Sequence, residues 1–225
     1  MRVYHFLNET YAVADISLRR LKVSRFNGLN DPFELLAADL LDPRHRTAFQ
    51  RFKNELNETK GMISFSKSWG NPLLWGHYAD CHRGMALGFD IPDDFLSPVI
   101  YTKQRAKIEF DEQERKVLDG DRVIDKVTRT KFSDWQYEEE YRMFIGLDEA
   151  KSEAGLHFVD FSDKLTLCEV IVGLNCTLPI ARVKQLLNGD LSEVRVKKAG
   201  LALRNFKVIE DRSARSQSVV RHDHS

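Results

Sequence analysis

MISFSKSWGNPLLWGHYADCHRGMALGF, Met62 to Phe89, reads as a strand, a helix and a second strand. Met62–Phe65 is short and apolar and ends in Ser64-Phe65-Ser66. Pro72 opens a helix, since its missing N–H does no harm in a first turn, and the pattern carries that helix to about Cys81. Gly84–Phe89 is a buried strand. Upstream, Arg2–Phe6 alternates apolar and polar residues as a first strand, and Asn8 caps a helix from Glu9 to about Arg20. Leu21–Val23 is a short strand, Ser24–Asn30 is rich in turn formers, and Asn30-Asp31-Pro32 starts a second helix. Arg44–Leu56 is a charged helix with a thin apolar stripe.

Downstream, Val99–Thr102 and Ala106–Phe110 read as a strand pair, and Glu112 to about Phe132 as a helix broken near Gly120. Tyr141–Ile145 and Glu169–Val172 are strands, Ile180–Leu187 is a helix, and Ser192–Lys197 and Phe206–Glu210 close the sheet. Helices and strands do not alternate regularly, so the fold class is α+β. A single α+β domain is expected over residues 1–212, a mixed sheet flanked by helices. Residues 213–225 form a polar tail expected to be disordered.

The chain has 225 residues, enough to bury a substantial core. Its 34 basic and 34 acidic residues cancel, which argues against coating nucleic acid or an anionic membrane through bulk charge. A local basic face is not excluded, but no membrane partner is expected. The zero is itself a cancellation. Residues 109–148 hold 12 acidic and 7 basic residues, whereas 182–221 hold 10 basic and 4 acidic. This is either ordinary solvated surface or a basic flank for a phosphate-bearing substrate. Three cysteines, Cys81, Cys168 and Cys176, form no CxxC pair and no disulfide framework. No apolar run approaches the roughly 18 residues of a membrane span. A reduced, soluble, cytoplasmic protein is expected.

Several chemistries lack their motifs. GxGxxG after a strand, GxxxxGK[ST], GxSxG and HExxH are all missing. Three segments carry the remaining candidates. In Trp75–Gly84, His77 and Cys81 share a helical face, while His82 lies about 140° around from His77 and fits a shared ion poorly. No metal is expected here. Trp75 and Tyr78 pack a helix on the sheet, or His77 and Tyr78 serve a polar function. In Trp135–Ile145, Glu138, Glu140 and Arg142 point to one side of an extended chain and Glu139 and Tyr141 to the other. Such a cluster is a structural ion pair, or it stabilises a developing cation or takes a proton from an attacking hydroxyl. In Arg25–Glu34, Asp31 and Glu34 fit a helix cap and its capping box, though exposed amides there can also receive an anion.

LNDPFE (Leu29–Glu34), SFS, LLWGHYADCHRGMALGFD (Leu73–Asp90), W-x-YEEEYR (Trp135–Arg142) and EVIVGL (Glu169–Leu174) follow one another in this order. The chain thereby resembles the bacterial "domain of unknown function twenty-nine seventy-one" family, over nearly all of its length up to about Asp211. A second resemblance concerns mechanism. VYHFLNETYAVADISLRRLKVS, SFS and EEEYRMFI are similar to the opening, the Ser-Thr-Ser element and the Glu-x-Glu element of ADP-ribosyltransferase-type domains.

That resemblance implies a split sheet and an enzyme that consumes NAD as substrate and passes ADP-ribose to an acceptor, nucleic acid or protein. By the same resemblance, His5 contacts the NAD ribose and Ser64 and Ser66 brace the pocket. Glu138 orients the acceptor and Glu140 stabilises the oxocarbenium-like transition state. His77 and Tyr78 are the further cofactor-binding candidates, Tyr78 by stacking on nicotinamide. A toxin or phage-defence effector, with an antitoxin or defence-system partner, is the implied setting. Phe65 stands where the family has Thr, and Glu139 rivals its neighbours for the Glu-x-Glu frame. The rival functions are a non-catalytic ligand- or partner-binding module and a metal-dependent nucleic-acid hydrolase using His77, Asp80 and the acidic trio.

Overall fold

The structure, a computed structural model, describes residues 1–29, 31, 33, 42–105, 108–111, 113 and 116–213. In chain order, β1 (Arg2–Leu7) leads through α1 (Glu9–Leu18) to β2 (Arg20–Arg25). Next, α2 (Pro43–Thr59) precedes β3 (Lys60–Ser66), and α3 (Pro72–Tyr78) precedes β4 (Met85–Asp90). Four short strands follow: β5 (Ser97–Pro98), β6 (Ile100–Thr102), β7 (Phe110–Asp111) and β8 (Lys116–Val117). Then come α4 (Gly120–Arg129), β9 (Thr130–Phe132), β10 (Glu140–Gly146), β11 (Lys151–Glu153) and β12 (Leu156–Asp160). Finally β13 (Thr166–Val172) passes through α5 (Ile180–Leu186) to β14 (Arg195–Leu201) and β15 (Val208–Glu210). The class is α+β. Among the described residues, no helix is long and apolar enough to cross a membrane.

Contacts gather into two compact units that alternate along the chain. The first comprises Met1–Arg20, Phe65–Asp93 and the chain from Asp160 onward; the second comprises Leu21–Ser64 and Asp94–Val159. The tail expected over 213–225 lies, from 214, outside the described residues.

In the first unit β1, β4, β13, β14 and β15 lie side by side. β4 is antiparallel to β1 (Val3↔Phe89) and to β13 (Ala86↔Ile171), and β14 is parallel to β13 (Ile171↔Lys197). The sheet is therefore mixed, and the parallel step is bridged by the crossover through α5. β4 is central: Met85, Ala86, Leu87 and Phe89 are wholly buried, which is why its sequence shows no polar alternation. Trp75 of α3 is fully buried with Ala79, Ala86, Ile171, Ala199 and Val208, and its indole N–H donates to the Trp69 carbonyl at 2.7 Å. α1 begins where expected, with Asn8 accepting from the Tyr11 amide at 2.8 Å.

α3 is shorter than its sequence pattern predicts. It stops at Tyr78, and Asp80, Cys81 and His82 take φ of 47°, 52° and 68°. His77 and Cys81 therefore do not share a helical face. This left-handed turn leads into Gly84, where an added Cβ would sit 1.9 Å from the Leu7 carbonyl oxygen. The close approach to β1, available only to glycine, ends the helix early.

In the second unit α2 and α4 bury Phe26, Phe49, Leu56, Met62, Val123 and Val127 in one cluster. β2 is antiparallel to β3 (Ser24↔Met62), and β10 pairs with both β3 and β5. The expected pairing of 99–102 with 106–110 is replaced: β6 pairs in parallel with β9, Ile100↔Thr130, and β7 pairs with β8. Residues 106 and 107 lie outside the described ones. The helix expected over 112–132 is observed over Gly120–Arg129: upstream β7 pairs with β8, and downstream Thr130 enters β9, while 112, 114 and 115 lie outside the described residues. The β11–β12 hairpin, which no strand pattern in the sequence announces, turns at Ala154 and Gly155, both with positive φ. The second helix start lies on residues mostly outside the described ones. Within it, Asp31 accepts from the Phe33 amide at 2.9 Å, as a capping carboxylate does.

Candidate functional site

The acidic trio sits in the second unit. Glu138 ends a 3-10 turn (Ser133–Glu138), Glu139 takes a left-handed φ of 44°, and Glu140 starts β10. The reversal at Glu139 leaves that side chain exposed while Glu138 and Glu140 are 4% and 6% exposed. Both carboxylates meet Lys131 of β9, whose ammonium lies 2.6 Å from Glu138 Oε2 and 3.1 Å from Glu140 Oε2. From two residues along β10, Arg142 grips Glu140 with Nε to Oε1 at 2.8 Å and Nη2 to Oε2 at 3.1 Å, and Nη1 donates to the Thr128 carbonyl at 2.5 Å. The Ser64 side chain also hydrogen-bonds the Glu140 carboxylate. Two carboxylates and two cations thus balance in a buried site.

Burial alone would raise the Glu140 pKa. The Arg142 and Lys131 charges, with hydrogen bonds from Arg142 and Ser64, outweigh it and hold the group well below the usual carboxylate range. Glu140 is therefore ionised at neutral pH. Its backbone amide donates to the Tyr101 hydroxyl at 2.9 Å, and burial together with the two nearby carboxylates pushes that phenol up to about 12. Lys131 also stands 5.0 Å over the Trp135 ring. A cavity of about 290 Å³ adjoins this network, for Lys131 lines it together with Lys103, Arg105, Phe33 and Phe132. Arg105 lies 5.6 Å over the Phe33 ring. Cationic side chains and two aromatic rings around a hollow completed by Thr102, Gln104 and Thr130 suit a ligand with an anionic group and a flat ring.

The remaining candidates belong to the first unit. His77 and Tyr78 line a cavity of about 530 Å³ with Asn8, Glu9, Tyr11 and Asp80. Their rings are 6.1 Å apart. His5 is not among the described lining of that cavity; it lies in β1 with its ring 5.7 Å from Phe65. Ser66 is buried at the end of β3, opposite Tyr4. The structure thus joins Ser64 to Glu140 and His77 to Tyr78. Among the described residues, no group of three or more His, Cys, Asp or Glu is placed to hold a metal ion.

Two participants carried no sequence signal. Lys131 is an isolated lysine between Thr130 and Phe132, and only the fold reveals its double ion pair. Glu169, read as part of a strand, is 1% exposed and is the hub of a polar cluster in the first unit. It accepts from Tyr4 Oη at 2.7 Å and pairs with Lys197, with Arg2 at 3.9 Å. Burial would raise its pKa, but Lys197, Tyr4 and Arg2 together hold it low.

Residues 74–143 match the family described as "Protein of unknown function (DUF2971)". The matched stretch runs from α3 to β10 and contains the left-handed turn, Lys131, Glu138, Glu140 and Arg142. LNDPFE and EVIVGL lie outside it. No curated protein matches the chain. No solved structure matches it either.

Proposed function

We propose that this chain is an ADP-ribosyltransferase-like enzyme that consumes NAD and passes ADP-ribose to a macromolecular acceptor. The observation that supports the reading is the hydrogen bond from Ser64 to the Glu140 carboxylate, which joins the first serine of the Ser-x-Ser element to the Glu-x-Glu element in the second unit. An ionised Glu140 beside the ribose C1′ would stabilise positive charge as the bond to nicotinamide breaks. Nicotinamide departs as the neutral base, the acceptor's nucleophile bonds to C1′, and the proton it sheds passes to Glu138. Because Lys131 stands between both carboxylates and the cavity, ligand entry requires its ammonium to exchange Glu140 for the ligand's phosphates.

The test incubates the full chain with labelled NAD and cell lysate. Nicotinamide release or label transfer that falls sharply in Ser64→Ala, with its circular dichroism intact, supports the reading. Neither product from a folded wild-type protein overturns it.

A second reading rests on the saturation of the same carboxylates. Lys131, Arg142 and Ser64 all bond the Glu140 carboxylate, and Arg142 is fully buried. In this reading the network locks β9 to β10, and the chain is a non-catalytic module whose 290 Å³ cavity binds a ligand. Calorimetric binding of NAD without turnover selects it.

A further inference from the structure

The loop between β14 and β15 breaks the pattern of the rest of the surface. Its ends are tied by the Ala202 amide to the Lys207 carbonyl at 3.0 Å, and its tip carries Leu203 and Phe206 at 101% and 98% exposure. Two large apolar side chains wholly in water, three residues apart on a closed loop, are unlike the singly scattered apolar groups normal to a soluble surface. The apolar character continues at the loop's base: Leu201 is 55% exposed and, with Pro72, Leu203 and Phe206, lines a 430 Å³ hollow.

The charge on the tip itself, residues 202–207, has one sign, with Glu210 of β15 farther down the hairpin opposite Ala199. From Arg195 to Lys207 the sequence holds Arg195, Lys197, Lys198, Arg204 and Lys207, and no acidic residue. Lys197 is engaged by Glu169, and Lys198 by the Gly173 and Cys176 carbonyls. Arg204 and Lys207, flanking Phe206, are exposed and have no ion-pair partner among the described residues. An apolar wedge with cations at its shoulders complements an interface whose surface is anionic and whose interior is hydrocarbon.

We propose that the β14–β15 loop docks this chain on an anionic lipid surface, inserting Leu203 and Phe206 among the acyl chains while Arg204 and Lys207 meet the headgroup phosphates. Footprint favours lipid over a second protein. A Phe and a Leu side chain supply at most a few hundred Å², whereas a stable protein interface takes about 800 Å² from each partner. A bilayer needs no matching groove, and each buried apolar group and each cation near the surface adds to retention. Neutral overall charge is no obstacle, because the attraction is local and acts within a Debye length of about 10 Å.

The experiment is co-sedimentation of the full chain with vesicles of phosphatidylcholine and phosphatidylglycerol in equal parts, and with phosphatidylcholine alone. The wild type is expected to pellet with the mixed vesicles and to remain largely in solution with the neutral ones. The double variant L203S/F206S should partition at least about ten-fold more weakly, and R204E/K207E about ten-fold or more. All four positions are exposed, so melting temperatures should match the wild type and show that the fold is kept. Failure of the wild type to pellet, or undiminished pelleting of both variants, overturns the proposal. Light scattering that shows a dimer dissociated by L203S/F206S would assign the tip to a second copy instead. Equal binding to duplex DNA with the same dependence on Leu203 and Phe206 would assign it to nucleic acid.

Discussion

Replacing Glu140 with glutamine changes one oxygen for an amide and leaves two buried cations with less to balance them. Arg142 is fully buried and gives two hydrogen bonds to Glu140, and Lys131, 4% exposed on its side chain, loses one of the two carboxylates it bridges and retains Glu138. Removing one member of a buried ion pair costs about 3–5 kcal/mol, because the other charge stays desolvated. For a chain of this length each kcal/mol moves the melting temperature by about 2–4 °C. Glu140→Gln is therefore expected to melt about 6–20 °C lower, read by circular dichroism or calorimetry. Glu139→Gln, one residue away but exposed, should stay within about 2 °C of the wild type. Glu140→Met combined with Arg142→Met should recover most of the loss, since charge and countercharge leave together. A Glu140→Gln protein that melts with the wild type would refute the argument and show that Arg142 and Lys131 are solvated or paired elsewhere. Loss of NAD turnover without loss of stability would then point to a purely chemical role for the carboxylate.

Gly84→Ala places a Cβ 1.9 Å from the Leu7 carbonyl oxygen, backbone against backbone, and should cost more than about 3 kcal/mol or prevent soluble expression. Cys81→Gly, at an exposed position with φ 52°, relieves a left-handed conformation and should stabilise by about 0.5–1 kcal/mol in urea unfolding; destabilisation would mean the thiol contributes more than its backbone costs. Acid should weaken the fold in two stages. Burial lowers the His82 pKa, so its contribution is complete above the ordinary histidine range and fades as pH falls through its lowered folded value. Glu140 and Glu169 are also held low, so their contributions persist above the carboxylate range and fade as pH falls further, through their folded values. Melting curves from pH 7 downward read both stages. His82→Asn, which tolerates the left-handed backbone, should flatten the first, and an unchanged slope between pH 7 and 5 would remove His82 from the account.

Much of the fold was legible because local patterns and tertiary packing agree. Asn8 caps α1, Pro72 opens α3, and the unbroken apolar run at Met85–Phe89 marks a strand covered on both sides. The failures occur where a distant contact overrides a local pattern. Trp75–Cys81 has helical spacing to its end, but the approach of Gly84 to Leu7 turns the chain after Tyr78. Lys131 looks like any surface lysine until β9 sets it against Glu138 and Glu140. Strand alternation puts Glu140 and Arg142 on one side of β10, as the sequence pattern predicts. Glu138 reaches the same point by another route, through the left-handed turn at Glu139.

The alternation of the two units along the chain constrains how this protein can be made and cut. The chain leaves the first unit after Arg20, returns at Phe65, leaves at Asp93 and returns at Asp160. During synthesis, β1 waits for β4 to emerge, with Arg2 opposite Asp90, and β4 then waits for β13, with Asp90 opposite Thr166. A ribosome-bound intermediate released before Asp160 holds a complete set of second-unit segments but only part of the first. Two long loops must close before the first unit's sheet is assembled, which places its folding late and makes it slow. No single cleavage yields either unit whole. Circular permutation would join only the first and last of the first unit's three segments, so dissection would require replacing each intervening second-unit segment with a designed linker.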